Sequence, residues 1–107
     1  MRWRRVVVRG PSMSPTLAGG DVVLVRFGAA VRPDDVVLVR WPARPTQLSV
    51  KRAVRVDGPG WWVLGDNPDG STDSRELGPA LVLAVVVARL WPRPHRLRTR
   101  SPRRERS

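Results

Sequence analysis

Residues 21–41 read DVVLVRFGAAVRPDDVVLVRW, and within them the segment DVVLVR occurs at Asp21 and again at Asp35. Each copy follows a breaker, Gly19-Gly20 before the first and Arg32-Pro33-Asp34 before the second, and each closes on an aromatic residue. Short runs of β-branched residues between such breakers read as strands, because branched side chains pack well on a pleated surface. Two copies are too few for a repeat architecture. The simplest expectation is two adjacent strands, Asp21–Phe27 and Asp35–Trp41, in similar surroundings.

The same reading extends outward. Val6–Arg9 is an expected first strand, stopped by Gly10-Pro11. Leu48–Val56 (LSVKRAVRV) and Trp61–Leu64 form a hairpin around Asp57-Gly58-Pro59-Gly60. Val82–Leu90 closes the chain as a buried strand, with a short helix near Pro79 as the alternative for its first turn. Gly65–Pro79 (GDNPDGSTDSRELGP) is a long polar loop, of the kind that carries function when it interrupts a small domain. Eleven Pro and nine Gly in 107 residues leave no room for long helices. Trp41, Trp61, Trp62 and Trp91 are expected in core or edge packing, and Trp3 half exposed. The expectation is a mainly β single domain over residues 1–91, followed by a disordered Arg-rich tail over 92–107.

Composition excludes several chemistries. The chain has no Cys, so disulfides, thiolate metal sites and a Cys nucleophile are ruled out. The sole His is His95, in the basic tail, which weakens a Ser-His-Asp triad or a His-ligated metal; no metal or cofactor is expected. The longest apolar run, Leu81–Ala88, falls far short of the roughly 20 residues that span a bilayer. The opening MRWRRVVVRG does not read as a secretory leader. These features together give the expectation of a soluble, cytoplasmic protein. Of the net charge of +11, the tail contributes +6 (seven Arg, one Glu) and residues 1–91 contribute +5. The tail offers contact with an anionic membrane surface or with nucleic acid.

Against nineteen arginines there is one lysine, Lys51. Arg stays protonated inside a protein, whereas a desolvated Lys can become a neutral amine and act as a base. A lone Lys in an Arg-saturated chain marks a position where Arg would not serve. In LSVKRAV, Ala53 and Leu48 or Val50 are placed to desolvate it, and Arg52 points to the opposite face.

Three segments carry chemistry in order: Gly10-Pro11-Ser12-Met13-Ser14-Pro15-Thr16-Leu17, then Lys51-Arg52, then Gly65-Asp66-Asn67 followed by Ser71-Thr72-Asp73-Ser74-Arg75 and Gly78. Together they resemble the signal peptidase I superfamily of Ser–Lys (S26-type) peptidases, whose boxes have the forms S-M-x-P-T-L, K-R and G-D-N-x-x-x-S-x-D-S-R-x-x-G. Trp61-Trp62-Val63-Leu64 before the third box is most similar to the nickel-type superoxide dismutase maturation proteases. The resemblance implies a signal-peptidase/LexA-like bent sheet or partly open barrel. It makes Ser12 the nucleophile, Lys51 the general base and Ser71 the hydroxyl that orients the amine. Asp73 and Arg75 become an ion pair supporting the site, with Arg52 a neighbour. Asp66 and Asn67 are structural loop residues, and Met13 lies in the substrate cleft or its apolar shell. Ser14 is the rival nucleophile. Many members place Ser where this chain has Gly10, which leaves the oxyanion to backbone N–H groups.

The implied reaction is endoproteolysis by acyl transfer, and the implied substrate is the N-terminal propeptide of a nickel superoxide dismutase precursor. The alternatives are signal-peptidase-like processing of secreted precursors and a non-catalytic basic β-domain on nucleic acid. A self-cleaving regulatory domain ranks last, since no separate DNA-binding domain is evident.

Overall fold

The computed structural model describes residues 2–97. Seven strands form one antiparallel sheet that does not close: β1 (Trp3–Val7), β2 (Val22–Phe27), β3 (Val36–Trp41), β4 (Arg44–Asp57), β5 (Gly60–Leu64), β6 (Leu81–Trp91) and β7 (His95–Arg96). Their spatial order is β1-β2-β6-β3-β4-β5, with β7 on β6. The mainly β reading therefore holds, and so does the hairpin at 48–64, although β4 starts earlier, at Arg44.

The two DVVLVR copies are not neighbours. Strand β6 lies between them, pairing β2 on one side and β3 on the other. Nor are their surroundings alike. In β2 only Val23 and Val25 are buried, on one face, whereas β3 buries both faces. Val36 and Leu38 enter a first apolar cluster with Val8, Met13, Leu17, Val23, Val25 and Val50. Val37, Val39 and Trp41 enter a second with Ala53, Val63, Ala80 and Val85. Central strands are buried on both sides, which is why β6, alternating between the same clusters, reads as a continuous apolar run. Identical hexapeptides meet different environments because sheet order, not local sequence, sets exposure.

What the copies do share is their entry. The Asp21 carboxylate accepts from Ala18 N–H at 2.9 Å and the Asp35 carboxylate from Arg32 N–H at 2.9 Å. Asp21 N–H and Asp35 N–H bond back to the same residues' carbonyls. Each Asp closes the tight turn before its strand, a role suited to a short acceptor side chain.

The polar loop is partly structured, with a 3-10 turn at Pro68–Gly70 and a one-turn helix, α1 (Ser74–Leu77), capped by Asp73. No helix forms at Pro79, because Ala80 bridges to Trp61 in both directions at 2.8 Å. Of the tryptophans, Trp41 is buried, Trp61 and Trp62 are half-buried, and Trp3 and Trp91 are exposed. The expected tail lies mostly outside the described residues. Its first six residues turn back, His95 and Arg96 pairing with Arg89 and Ala88 while Leu97 packs against the first cluster.

Trp41 joins the second cluster to the helix through Nε1–H donating to the Gly78 carbonyl at 3.2 Å. Trp41→Ala is expected to cost about 3–5 kcal/mol, read as a lowered midpoint in urea; a loss under about 1 kcal/mol would show that this cluster is not the core.

Candidate active site

The turn carrying Ser12 is held from both sides. Gly10 sits at φ 74, in the left-handed region where side chains are strained, and this lets the chain leave β1 sharply. Beyond Ser12, Met13 and Leu17 are fully buried in the first cluster, and their own backbone bond (Leu17 N–H to Met13 C=O, 2.9 Å) winds the segment tight. Ser12, between an exposed glycine turn and a buried methionine, is half-buried and borders a cleft of about 810 Å³. Met13 thus belongs to the apolar shell rather than to the cleft lining, and Ser14 does not line the cleft either.

Lys51 borders the same cleft. It pairs with Val37 across β3–β4 and is only 4% exposed. Among the described residues it forms no ion pair, and the Trp41 ring lies 6.0 Å from Nζ. Burial lowers its pKa, partly opposed by the negative field of Asp73. Val37, Trp41 and Ala53 of the second cluster lie on its face and supply apolar surroundings, while Val50 belongs to the opposite face and Leu48, 51% exposed, contributes little.

The third segment meets the first two through specific bonds. Arg52 turns to the other face, as alternation requires, and grips Asp66 with two nitrogens, Nη2 at 2.6 Å and Nε at 3.2 Å; its Nη1 donates to the Asp34 carbonyl at 2.9 Å. The same Asp66 accepts from Thr16 Oγ1 at 2.5 Å. Asn67 N–H donates to the Ser12 carbonyl at 2.9 Å, and its Nδ2 donates to the Pro11 carbonyl at 3.1 Å. Asp66 and Asn67 are therefore the clasp on the serine turn. Thr16 and Arg52 both stand inside the quoted motifs, yet nothing local in the sequence marks either as a partner of Asp66.

Asp73 is fully buried and accepts five bonds: from Arg75 Nε, Nη2 and N–H at 3.0, 3.1 and 3.2 Å, from Gly65 N–H at 2.9 Å and from Ser71 Oγ at 2.9 Å. The Asp73–Arg75 ion pair stands as expected. Ser71 donates to Asp73, so it reaches Lys51's neighbourhood through that carboxylate. Ser74 accepts from Val63 N–H at 2.8 Å, a structural bond. A Cβ on Gly65 would sit 2.6 Å from the Ser12 carbonyl oxygen and 2.6 Å from Ser71 Cβ, so only glycine lets first and third segments touch. No cluster of three or more potential metal ligands occurs among the described residues.

The cleft is built from strand edges. Gln47, Leu48, Ser49, Val50 and Lys51 line it consecutively, as do Arg4, Arg5, Val6 and Val7. Successive side chains on a strand point to opposite faces, so an unbroken run faces one space only when the strand presents its edge. Strand β5 pairs β4 only from Arg52 onward, and β1 ends the sheet, so both stretches keep an unpaired edge. Such edges accept an extended peptide by main-chain bonding.

Residues 5–87 match the profile of the Peptidase S24-like family. The chain is 35% identical to the mitochondrial inner membrane protease subunit 1 of Schizosaccharomyces pombe, over 80% of this chain and 72% of that protein. It is 30% identical to its namesake in Xenopus tropicalis, over 81% and 68%. It is 35% identical to the mitochondrial ATP-independent inner membrane protease subunit 1a of Arabidopsis thaliana, over 79% and 68%. These relatives correct the expectation of a cytoplasmic protein, since each is by name a protease of an inner membrane. That expectation rested on the lack of a spanning segment, and a protein can work at a membrane without one in its catalytic fold. No helix among the described residues is long and apolar enough to cross a bilayer. None of the three is a nickel superoxide dismutase maturation protease, so that narrower resemblance gains nothing from them.

Asp66 and Asp73 are both held below the usual carboxylate range. Burial pushes each up, but it is outweighed by the bonds from Arg52 and Thr16 to Asp66, and from Arg75, Gly65 and Ser71 to Asp73. A carboxylate with a lowered folded pKa stabilises fully above its unfolded value, about 4, and loses that contribution as pH falls through the folded value. The urea midpoint is therefore expected to drop below about pH 4, and Asp66→Asn to be less stable at neutral pH with a shallower acid drop. An Asp66→Asn variant with wild-type stability at pH 7 would show the clasp to be energetically idle.

Proposed function

We propose, for a chain that belongs to the Peptidase S24-like family of signal-peptidase-like proteases, that it is an endopeptidase working through Ser12 and Lys51. One observation carries this reading: the only lysine is buried, unpaired among the described residues and shifted toward its neutral form, on the cleft that Ser12 borders. The amine of Lys51 takes the Ser12 hydroxyl proton as Oγ attacks the scissile carbonyl. The oxyanion is met by backbone N–H groups of the Gly10–Ser12 turn, that of Ser12 first among them. The ammonium then gives its proton to the departing amine, leaving an acyl-serine. Water, deprotonated by the same amine, releases the acid and restores the serine. Ser71 and Asp73 act one step back: Ser71 is held by Asp73, and Asp73 sets the field that Lys51 feels.

The substrate in this reading is a protein precursor whose N-terminal segment enters the cleft extended, presented at a membrane as the relatives' names suggest for those proteins. The nickel superoxide dismutase propeptide is the narrower candidate and rests on the Trp61–Leu64 wording alone. Mass spectrometry of that precursor and of a membrane-delivered one, each mixed with the protein, separates the two.

Ser12→Ala and Lys51→Arg are each expected to lower cleavage by at least about 10³-fold while circular dichroism stays native; Ser71→Ala should cost less. Processing retained by Lys51→Arg would remove Lys51 from the mechanism, because a guanidinium cannot act as base at neutral pH.

The neutral amine fraction rises with pH through the lowered Lys51 pKa. Accordingly, kcat/KM should climb and level off before the ordinary lysine range, about 10.4. A rising limb centred on that ordinary value would contradict a desolvated base.

A further inference from the structure

The cleft carries a charge pattern that acyl transfer does not use. Arg2, Arg4 and Arg5 at the first strand, Arg9 just beyond it and Arg40 of β3 line it with Lys51, and among the described residues no Asp or Glu does. Elsewhere three acids hold arginines: Asp66 holds Arg52, Asp73 holds Arg75, and Asp21 faces Arg89 at 3.6 Å. The side chains of Arg4, Arg5, Arg9 and Arg40 make no ion pair, hydrogen bond or ring contact among the described residues. Arg excess alone makes a basic surface. It does not explain why the described carboxylates are kept off a concave wall where four of the five lining arginines stand unpartnered among the described residues, Arg2 alone stacking on Phe27. A concave wall of one sign concentrates its field on whatever enters.

We propose that this wall selects acidic peptides: extended segments bearing Asp or Glu within a few residues of the bond delivered to Ser12. The inference rests on the cleft being the peptide channel and adds its charge preference. Main-chain pairing to the β1 and β4 edges is blind to sequence, so side-chain charge is where the two edges can discriminate. Arg4, Arg5 and Arg9 are exposed and Arg40 is half-buried, so their guanidinium groups are accessible to fork onto a carboxylate. Anionic lipid headgroups share this chemistry, but they present a broad surface, whereas these arginines surround a cleft that also holds Ser12 and Lys51.

The test uses Ser12→Ala protein and labelled Ala/Val peptides with Asp, Asn or Lys on both sides of a central Ala-Ala. Fluorescence anisotropy is expected to rank Asp over Asn over Lys, with roughly tenfold between Asp and Asn at low salt and a smaller gap as salt rises. Arg4→Glu with Arg9→Glu, both exposed positions, should reverse the ranking. Arg32→Glu with Arg55→Glu changes net charge equally outside the cleft and should leave it alone. Equal binding of Asp and Asn peptides, or an equal effect of both double variants, overturns the proposal. So does a result in which the cleft variant loses only binding to phosphatidylglycerol vesicles, which would assign the arginines to lipid. Mass spectrometry of the same peptides with wild-type protein keeps the two readings apart. Cleavage without charge preference overturns the selectivity alone. An intact Asp preference without any cleavage supports the selectivity and overturns the Ser–Lys chemistry.

Discussion

One carboxylate ties the molecule's chemistry together. Asp66 receives Thr16 from the serine turn and Arg52 from the lysine strand, so three segments far apart in sequence converge on one group. Opposite charges with two parallel N–H···O bonds fix orientation as well as distance, which a single contact does not. Because Arg52 and Lys51 are consecutive on a strand, holding Arg52 on one face sets the rotation of the strand and therefore where Lys51 points. Asn67, the next residue, clamps the Ser12 carbonyl. The positions of Ser12 and Lys51 are thus set by neighbours of Asp66.

The second constraint is dryness. Lys51 is paired with Val37, near Trp41, beside the central strands that are buried on both faces. Taking an ammonium out of water costs more than taking out an amine, so this burial favours the form that can accept a proton. Asp73 works against the shift, and its own charge is largely committed to Arg75, Gly65 and Ser71. The balance leaves Lys51 lowered while the surrounding carboxylates stay charged.

Much of this was legible in the residues. Strand positions followed from Val-rich runs between Gly and Pro breakers, and the site from a lone lysine and three ordered boxes. The Asp73–Arg75 pair was implied by the resemblance of the third box. Thr16–Asp66 and Arg52–Asp66 could not be assigned, since nothing local says which of several Arg, Thr and Asp residues will meet. The reading of the DVVLVR copies as adjacent failed for a related reason. A local pattern specifies a strand but not its neighbour, and β6, arriving last in the chain, inserts between them. The membrane setting in the relatives' names was likewise not legible in these residues, because such a setting leaves no obligatory mark on a β-fold.

By itself the sequence determined the class of fold, the breaks between strands, the absence of thiol chemistry and which side chain could serve as a base. These follow from properties each residue carries alone: branching, ring closure, charge and pKa. Strand order, the dry side of β4, the clasp around Asp66 and the arginine-lined cleft between strand edges emerge only from the folded molecule. Those are properties of pairs and of surfaces, and they exist only once distant segments have been brought into contact.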